Sequence, residues 1–360
     1  MGSKKSVVLS GYYGFNNIGD EAVLSSIITA LRKHIPNVEI TVLSNAPSQT
    51  KALYGVEAIN RWGIKEIREA IKKSDLVISG GGSLLQDVTS SKVIPYYLGI
   101  VKIAQFYKKP VVFYSQGVGP VAKGLGKILI KQICNKVTHI FVREIGSKQL
   151  LESLGVTQTP ITVAIDPVLG IEPKAELVAD VKARLPEGKK VGLYIRPWKH
   201  DEEMIQKIAQ LAQHIESCGY ALYFIPMYHK EDLAIAKAIA SRVKGEVHVI
   251  EQEMTIDEVV AYTVQFDFIV GMRLHSLIMA HAVEVPMIGL SYDPKVAGFL
   301  KEVHAPYCMS VDAIDEVVMR GYVDDLVKQL EQERKRIHLV NQDKKQKVEL
   351  PAACIRELLG

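Results

Sequence analysis

Ser6-Val7-Val8-Leu9-Ser10, running straight into Gly11-Tyr12-Tyr13-Gly14-Phe15-Asn16-Asn17-Ile18-Gly19-Asp20-Glu21, is the stretch that decides the fold. A short run rich in valine and leucine, closed by glycine, reads as a buried strand. Residues 22–33 then carry apolar side chains at helical spacing. Strand, glycine loop and helix in that order open a parallel α/β layer.

Working outward, the alternation repeats. Strands are expected at 39–44, 76–79, 110–114 and 139–142, and helices at 64–73, 94–107, 125–136 and 146–154. A second series has strands at 190–195, 220–225, 246–250, 266–270 and 287–290. Its helices are expected at 201–218, 231–243, 255–264 and 274–281. Val- and Ile-rich strands separated by helices imply parallel sheets covered on both faces. The fold class is therefore α/β, with two doubly wound, Rossmann-like domains facing across a cleft.

Residues 161–179, with Asp166-Pro167 and Pro173, read as the linker. This gives an N-terminal domain over 1–168 and a C-terminal domain over 169–340. A charged helix over 323–347 and a short helix after Pro351 follow, and the tail 341–360 is expected to pack back on the first domain.

The chain has 360 residues, 48% hydrophobic and 23% charged, as in a globular protein of two ordinary domains. No apolar run approaches the roughly 20 residues of a membrane span, and no secretory signal is visible. A cytoplasmic protein is expected. Met1-Gly2-Ser3-Lys4-Lys5-Ser6 fits a myristoylation pattern but reads more simply as a plain start. The four cysteines are scattered, with no CxxC pair and no His/Cys cluster of zinc spacing. Reduced thiols are expected, and no metal.

Net charge is +4, unevenly spread. From Val88 through Arg143 there is no Asp or Glu, while Lys92, Lys102, Lys108, Lys109, Lys123, Lys127, Lys131 and Lys136 lie within it. Such a stretch is either an anion-attracting patch or a solvated basic face. Leu125, Ile128, Leu129 and Ile133 lie on one helical face there, read either as core or as a surface for a membrane. With no nucleic-acid motif and 7% aromatics, nucleic acid is not expected as a partner.

In doubly wound sheets, ligands bind beyond the strand carboxyl ends. Several loops there carry chemistry. The first offers Tyr13, Gly14, Asn16, Asn17 and Asp20. Gly80-Gly81-Gly82-Ser83-Leu84-Leu85-Gln86-Asp87 reads as close packing or a backbone anion nest. Ser115-Gln116-Gly117-Val118-Gly119-Pro120 is again glycine-rich. The first loop lacks GxGxxG spacing, so a dinucleotide site is unsupported. The second half offers Arg196 to His200, then His229, then Arg273-Leu274-His275, then Tyr292 to Lys295. Guanidinium forks suit carboxylate and phosphate, and a histidine moves protons near neutral pH.

Together, Gly11 to Asp20, Gly80 to Asp87, Ser115 to Pro120, Val142-Arg143, Asp166-Pro167 and Arg273-Leu274-His275-Ser276 resemble the polysaccharide pyruvyl transferase family over nearly the whole chain. The likeness is greatest to the CsaB type, which decorates bacterial secondary cell-wall polysaccharide. Glu144 stands where the family pattern has Asp, a change expected to bear on helix capping.

The resemblance implies a GT-B-like fold and transfer of a pyruvyl group from phosphoenolpyruvate to a sugar as a cyclic ketal. It assigns His275 as the catalytic acid, with Arg273, Arg196 and Lys295 on the donor; His229, on the same edge, is a further donor-binding candidate. Tyr13, Gly14, Asn16, Asn17, Asp20, Gly81, Gly82 and Gln116 would face the acceptor. Asp20, Asp87, Asp166 or the departing phosphate could take the acceptor proton. Phosphoenolpyruvate is a co-substrate, so no cofactor is expected. The implied acceptor is N-acetylmannosamine in a lipid-linked precursor, which would bring the protein to the inner face of the membrane. A sugar-nucleotide glycosyltransferase of the same fold and a non-catalytic saccharide-binding protein are the alternatives.

Overall fold

The computed structural model describes residues 4–88, 90–199 and 201–360. The start through Ser3 and His200 lie outside these residues. The chain divides into two compact units, one of Met1–Pro167 with Lys344–Gly360, the other of Val168–Asp343.

Unit one runs β1 (Ser6–Ser10), α1 (Ile18–His34), β2 (Glu39–Ser44), α2 (Pro47–Tyr54), β3 (Glu57–Asn60), α3 (Ile64–Lys73), β4 (Leu76–Ser79), β5 (Gly82–Leu85), α4 (Val93–Phe106), β6 (Val111–Val118), α5 (Gly124–Cys134), β7 (His139–Val142), α6 (Ile145–Ser153) and β8 (Ile161–Val163). Its sheet is parallel in the order β3-β2-β1-β4-β6-β7-β8, with β5 paired to β6.

Unit two runs α7 (Ala175–Arg184), β9 (Lys189–Tyr194), α8 (Asp201–Ser217), β10 (Tyr220–Phe224), α9 (His229–Ala240), β11 (Val247–Val249), α10 (Ile256–Thr263), β12 (Phe268–Gly271), α11 (Leu274–Ala282), β13 (Met287–Ser291), α12 (Pro294–Glu302), β14 (Cys308–Ser310) and α13 (Glu316–Leu359). Its sheet is also parallel, in the order β11-β10-β9-β12-β13-β14.

Both sheets reverse their winding once, between β1 and β4 and between β9 and β12. Helices leave the two central strands toward opposite faces, which opens a crevice at their carboxyl ends. The central strands are apolar because both faces are covered: every residue of β4 and of β12 is buried. Val8, Val77, Leu98, Phe113 and Ile130 belong to one core. Leu193, Ile208, Leu222, Phe268 and Leu290 belong to the other.

Several local expectations change. β3 is an extra edge strand, only four residues long and exposed at both ends. The expected linker contains β8 and the start of α7. β6 runs on to Val118, so the stretch read as a loop after Tyr114 is mostly buried strand. Ser115, at φ 49°, sits where the pairing of β6 with β7 shifts register. The glycine stretch after β4 likewise holds β5. On α5, Ile133 is core, but Leu125 and Ile128 are 62% and 55% exposed beside exposed Lys123, Lys127 and Lys131.

The two helices expected around Pro351 form one long element with non-helical backbone at Gln329 and Pro351 inside it. A proline costs a helix one hydrogen bond. Here burial of Ala352, Ile355 and Leu359 holds the last turns in place. Glu349 receives hydrogen bonds from Lys33 and His34 of α1.

Candidate functional site

In unit two, the strands flanking the reversal end in the two arginines. Arg196 follows β9, and Arg273 follows β12 as the residue before α11. The Arg273 fork is engaged by Asp232 of α9. Nε donates to Oδ2 at 2.7 Å and Nη2 to Oδ1 at 2.6 Å, with Glu231 at 3.4 Å from Nη2. Burial works against the Arg273 charge. The hydrogen bonds and charge of Asp232 outweigh it, and the guanidinium pKa is raised. Asp232 is 1% exposed and also accepts from the Met227 and Tyr228 amides. Arg273 is therefore a fixed cation, with Nη1 left over from the pair. Asp232 carries this arrangement, yet the sequence reading did not select it. A partner 41 residues away leaves no local signal.

Arg196 lies with its guanidinium carbon 4.5 Å from the centre of the Tyr292 ring, and Nε donates to the Pro197 carbonyl. Trp198 packs on the same ring at 5.0 Å, and its indole N–H donates to Asp312. Tyr292 also bears electrostatically on Arg273. This tyrosine links the two arginines and was not singled out. His275 occupies the first turn of α11 and is half-buried. The Ser276 hydroxyl donates to the Arg273 carbonyl at 2.7 Å and steadies that turn. Lys295 is in the first turn of α12, where Asp293 caps the helix by accepting from the Lys295 amide. His229 begins α9 and its ring contacts the Glu251 carbonyl oxygen.

In unit one, the loops after β1 and β4 flank the other reversal. Tyr13 is 1% exposed, under the loop rather than on it. Its hydroxyl fills the space that side chains at Gly11 and Gly80 would occupy: a Cβ at Gly80 would lie 2.0 Å from it. Burial pushes the phenol pKa well up, with Asp20 adding to the effect. Gly14, at φ +78°, leaves no room for a Cβ beside Ser44 Oγ, and its amide donates to Glu21. Asn17 caps α1 by accepting from the Gly19 amide, and exposed Asn16 accepts from Gln49. Gln116 is buried in β6 and donates to Ser79 Oγ at 2.6 Å and to the Gly80 carbonyl at 2.8 Å. Gly80 and Gly81 thus serve close packing, Gly81 against Val23. Gly82, at φ +87°, faces Asp20.

The candidate bases differ in their surroundings. Asp87 accepts from the Ala122 and Lys123 amides, and these bonds hold its pKa below the ordinary value. Asp166 pairs with buried Arg143 at 3.1 Å. Asp20 is half-buried in the first turn of α1. Glu144 stands at the N-cap of α6 without a side-chain capping bond; it takes hydrogen bonds from Arg143 and Ser147. Arg143 also donates to Ser83 of β5, so one guanidinium ties β5 to the residues after β7 and β8.

The thiols are unpaired, and burial pushes the Cys134 pKa up to about 12, so it is inert as a nucleophile. His214, Cys218 and Asp324 place ligand atoms within 4.8 Å of one another. That group lies at the amino-terminal end of β10, the edge opposite the arginines. Among the described residues no helix is long and apolar enough to cross a membrane.

Similarity to known proteins agrees with this architecture. The chain is 20% identical to the amylovoran biosynthesis protein AmsJ of Erwinia amylovora, over 83% of this chain and 86% of that one. Among solved structures, a putative UDP-N-acetylglucosamine 2-epimerase from Listeria monocytogenes superposes with TM-score 0.71 at 13% identity, covering 98% and 95% of the two chains. Anabaena HepE in complex with UDP-glucose gives TM-score 0.66 at 9% identity, covering 98% of each. These likenesses establish a GT-B-like fold. The polysaccharide pyruvyl transferase family matches residues 17–294, most of both units, and the chain belongs to that family.

Proposed function

We propose that this protein transfers the pyruvyl group of phosphoenolpyruvate onto two hydroxyls of a saccharide, closing a cyclic 4,6-ketal and releasing phosphate. The donor belongs to unit two and the acceptor to unit one. The observation that carries the reading is the pairing of Arg273 with Asp232 two residues before His275, with Arg196 on Tyr292. A small dianion needs cations that do not move, and the Asp232 fork fixes one of them.

In this reading Arg196, Lys295 and the remaining edge of Arg273 hold the carboxylate and phosphate, with His229 nearby. His275, as imidazolium, gives its proton to the methylene carbon, and positive charge develops at the central carbon. One sugar hydroxyl adds there, the C–O bond to phosphate breaks, and the second hydroxyl closes the ring. Of the two hydroxyl protons, one restores His275 and the other leaves with phosphate or passes through Asp20. No cofactor takes part. The acceptor we favour is N-acetylmannosamine in a lipid-linked cell-wall polysaccharide precursor. Leu125 and Ile128 among the α5 lysines would meet an anionic membrane surface at the cytoplasmic face.

Incubation with phosphoenolpyruvate and candidate acceptors tests the reaction. Phosphate release that depends on acceptor, with a product heavier by one pyruvate less one water, is the expected outcome. Release of a nucleoside diphosphate from a sugar nucleotide would replace this reading with glycosyl transfer.

A further inference from the structure

Arg61 follows β3 at the carboxyl edge of the first sheet and is only 4% exposed. Arg143 and Arg273 are likewise buried or nearly so, and each has a carboxylate partner. Arg61 has none among the described residues. Its Nη1 and Nη2 reach the Gly11 carbonyl and the Tyr97 hydroxyl over long distances of 3.4 and 3.3 Å. Its Nε is buried with no hydrogen-bond partner. A buried cation without a counter-charge is unusual, because desolvation penalises it.

Five aromatic rings surround that cation. Its carbon is 4.5 Å from the centre of Tyr96, 5.2 Å from Phe15, 5.3 Å from Trp62, 5.6 Å from Tyr97 and 5.8 Å from Tyr12. The rings come from the loop after β1, the residue after Arg61 and the first turns of α4. Tyr12 and Phe15 stack in parallel at 4.0 Å. Trp62 is 63% exposed and Tyr12 40%. Large exposed rings over a cation, at the sheet edge where ligands bind, offer both an apolar platform and a charge. α4 also lies within the stretch that lacks Asp and Glu.

We infer that Arg61 and its rings form a subsite for a phosphorylated saccharide, with the guanidinium on the phosphoryl oxygens and Trp62 and Tyr12 against the sugar ring. Binding exchanges two long hydrogen bonds to neutral acceptors for shorter ones to an anion, and the planar fork suits phosphate better than an ammonium does. The inference rests on assigning the acceptor to unit one and adds the anion that the acceptor carries.

The chain has two tryptophans, Trp62 and Trp198. Trp198→Phe therefore leaves Trp62 as sole reporter. Its fluorescence is titrated with N-acetylglucosamine 1-phosphate and with the methyl glycoside that lacks phosphate. UDP-N-acetylglucosamine and a short-chain polyprenyl diphosphate sugar identify whether nucleotide or lipid supplies the phosphate. A saturable change is expected with the sugar phosphate, at least tenfold weaker for the methyl glycoside and at least tenfold weaker in Arg61→Lys. Equal affinity for the two sugars, no saturable change, or unaltered affinity in a folded Arg61→Lys protein overturns the subsite. If that variant unfolds, Tyr12→Ala at the exposed ring decides: tenfold weaker binding supports the subsite and unchanged binding overturns it. No phosphoenolpyruvate is present, so failure here leaves pyruvyl transfer standing, and failed ketal formation leaves this subsite standing.

Discussion

Arg273 and Asp232 meet edge to edge, with two parallel hydrogen bonds of 2.7 and 2.6 Å between guanidinium and carboxylate. The carboxylate is buried and the guanidinium nearly so, and each fixes the other. Asp232→Asn would leave a desolvated cation facing an amide. Losing one partner of a buried pair costs roughly 3–5 kcal/mol, and the slight exposure of Arg273 puts the expectation near the lower end. Urea unfolding of the two proteins measures it. A cost below about 1 kcal/mol would show that the pair is not holding the start of α11.

His275→Ala should keep the fold, because the residue is only half-buried and lies in a first helical turn. Acceptor-dependent phosphate release from phosphoenolpyruvate should fall by about 10²–10⁴-fold, the usual contribution of a general acid. The KM for phosphoenolpyruvate should change little. A variant that keeps its turnover would remove His275 from the chemistry.

Tyr13 and Gly80 give a paired prediction. The Tyr13 hydroxyl is buried with no hydrogen-bond partner among the described residues, a state that costs about 1–3 kcal/mol. Tyr13→Phe should therefore be neutral or stabilising by thermal or chemical denaturation. Gly80→Ala should destabilise by about 1–3 kcal/mol, since its Cβ meets that hydroxyl. In the double variant the nearest ring atom is the ζ carbon at 3.1 Å, so part of the loss should be recovered. Strict additivity would contradict the contact.

The Asp87 carboxyl, tied to the Ala122 and Lys123 amides, has a folded pKa lowered from 3.8. A lowered carboxyl pKa stabilises the fold above the unfolded value and loses that contribution as pH falls through the folded one. Asp87→Asn should thus be less stable than the parent at neutral pH. The gap should narrow below about pH 4. Denaturation midpoints taken from pH 3 to 7 check this; a gap independent of pH would mean that the charge plays no part.

Leu125 and Ile128 stand exposed between lysines on α5. Co-sedimentation with vesicles rich in anionic lipid should exceed that with neutral vesicles, weaken with salt, and drop severalfold in Leu125→Ser/Ile128→Ser. Indifference to lipid charge would remove the membrane contact.

Both sheets were legible from the sequence because their central strands are short apolar runs closed by glycine or proline, and β1, β2, β4 and β7 have the expected limits. β3 was not legible: Glu57-Ala58-Ile59-Asn60 is brief and polar at both ends, as an edge strand can be. The glycines after Ser79 read as close packing or an anion nest, and Gly80 packs closely on Tyr13; Gly117, after Ser115, packs on Arg143 and Ser83. Arg273 and His275 stood out by their spacing. Asp232, Tyr292 and Arg61 did not, because their significance comes from partners distant in the chain.

Residues 344–360 complete the first unit, yet they come after the entire second unit in the chain. Glu349, which pairs with His34 of α1, and the buried Ala352, Ile355 and Leu359 are absent from any nascent chain that has only just delivered β8. Domains usually mature in the order of synthesis. Here the ribosome must translate the later domain before the earlier one can close, so a clone ending near Pro167 would yield an unfinished half rather than an independent one.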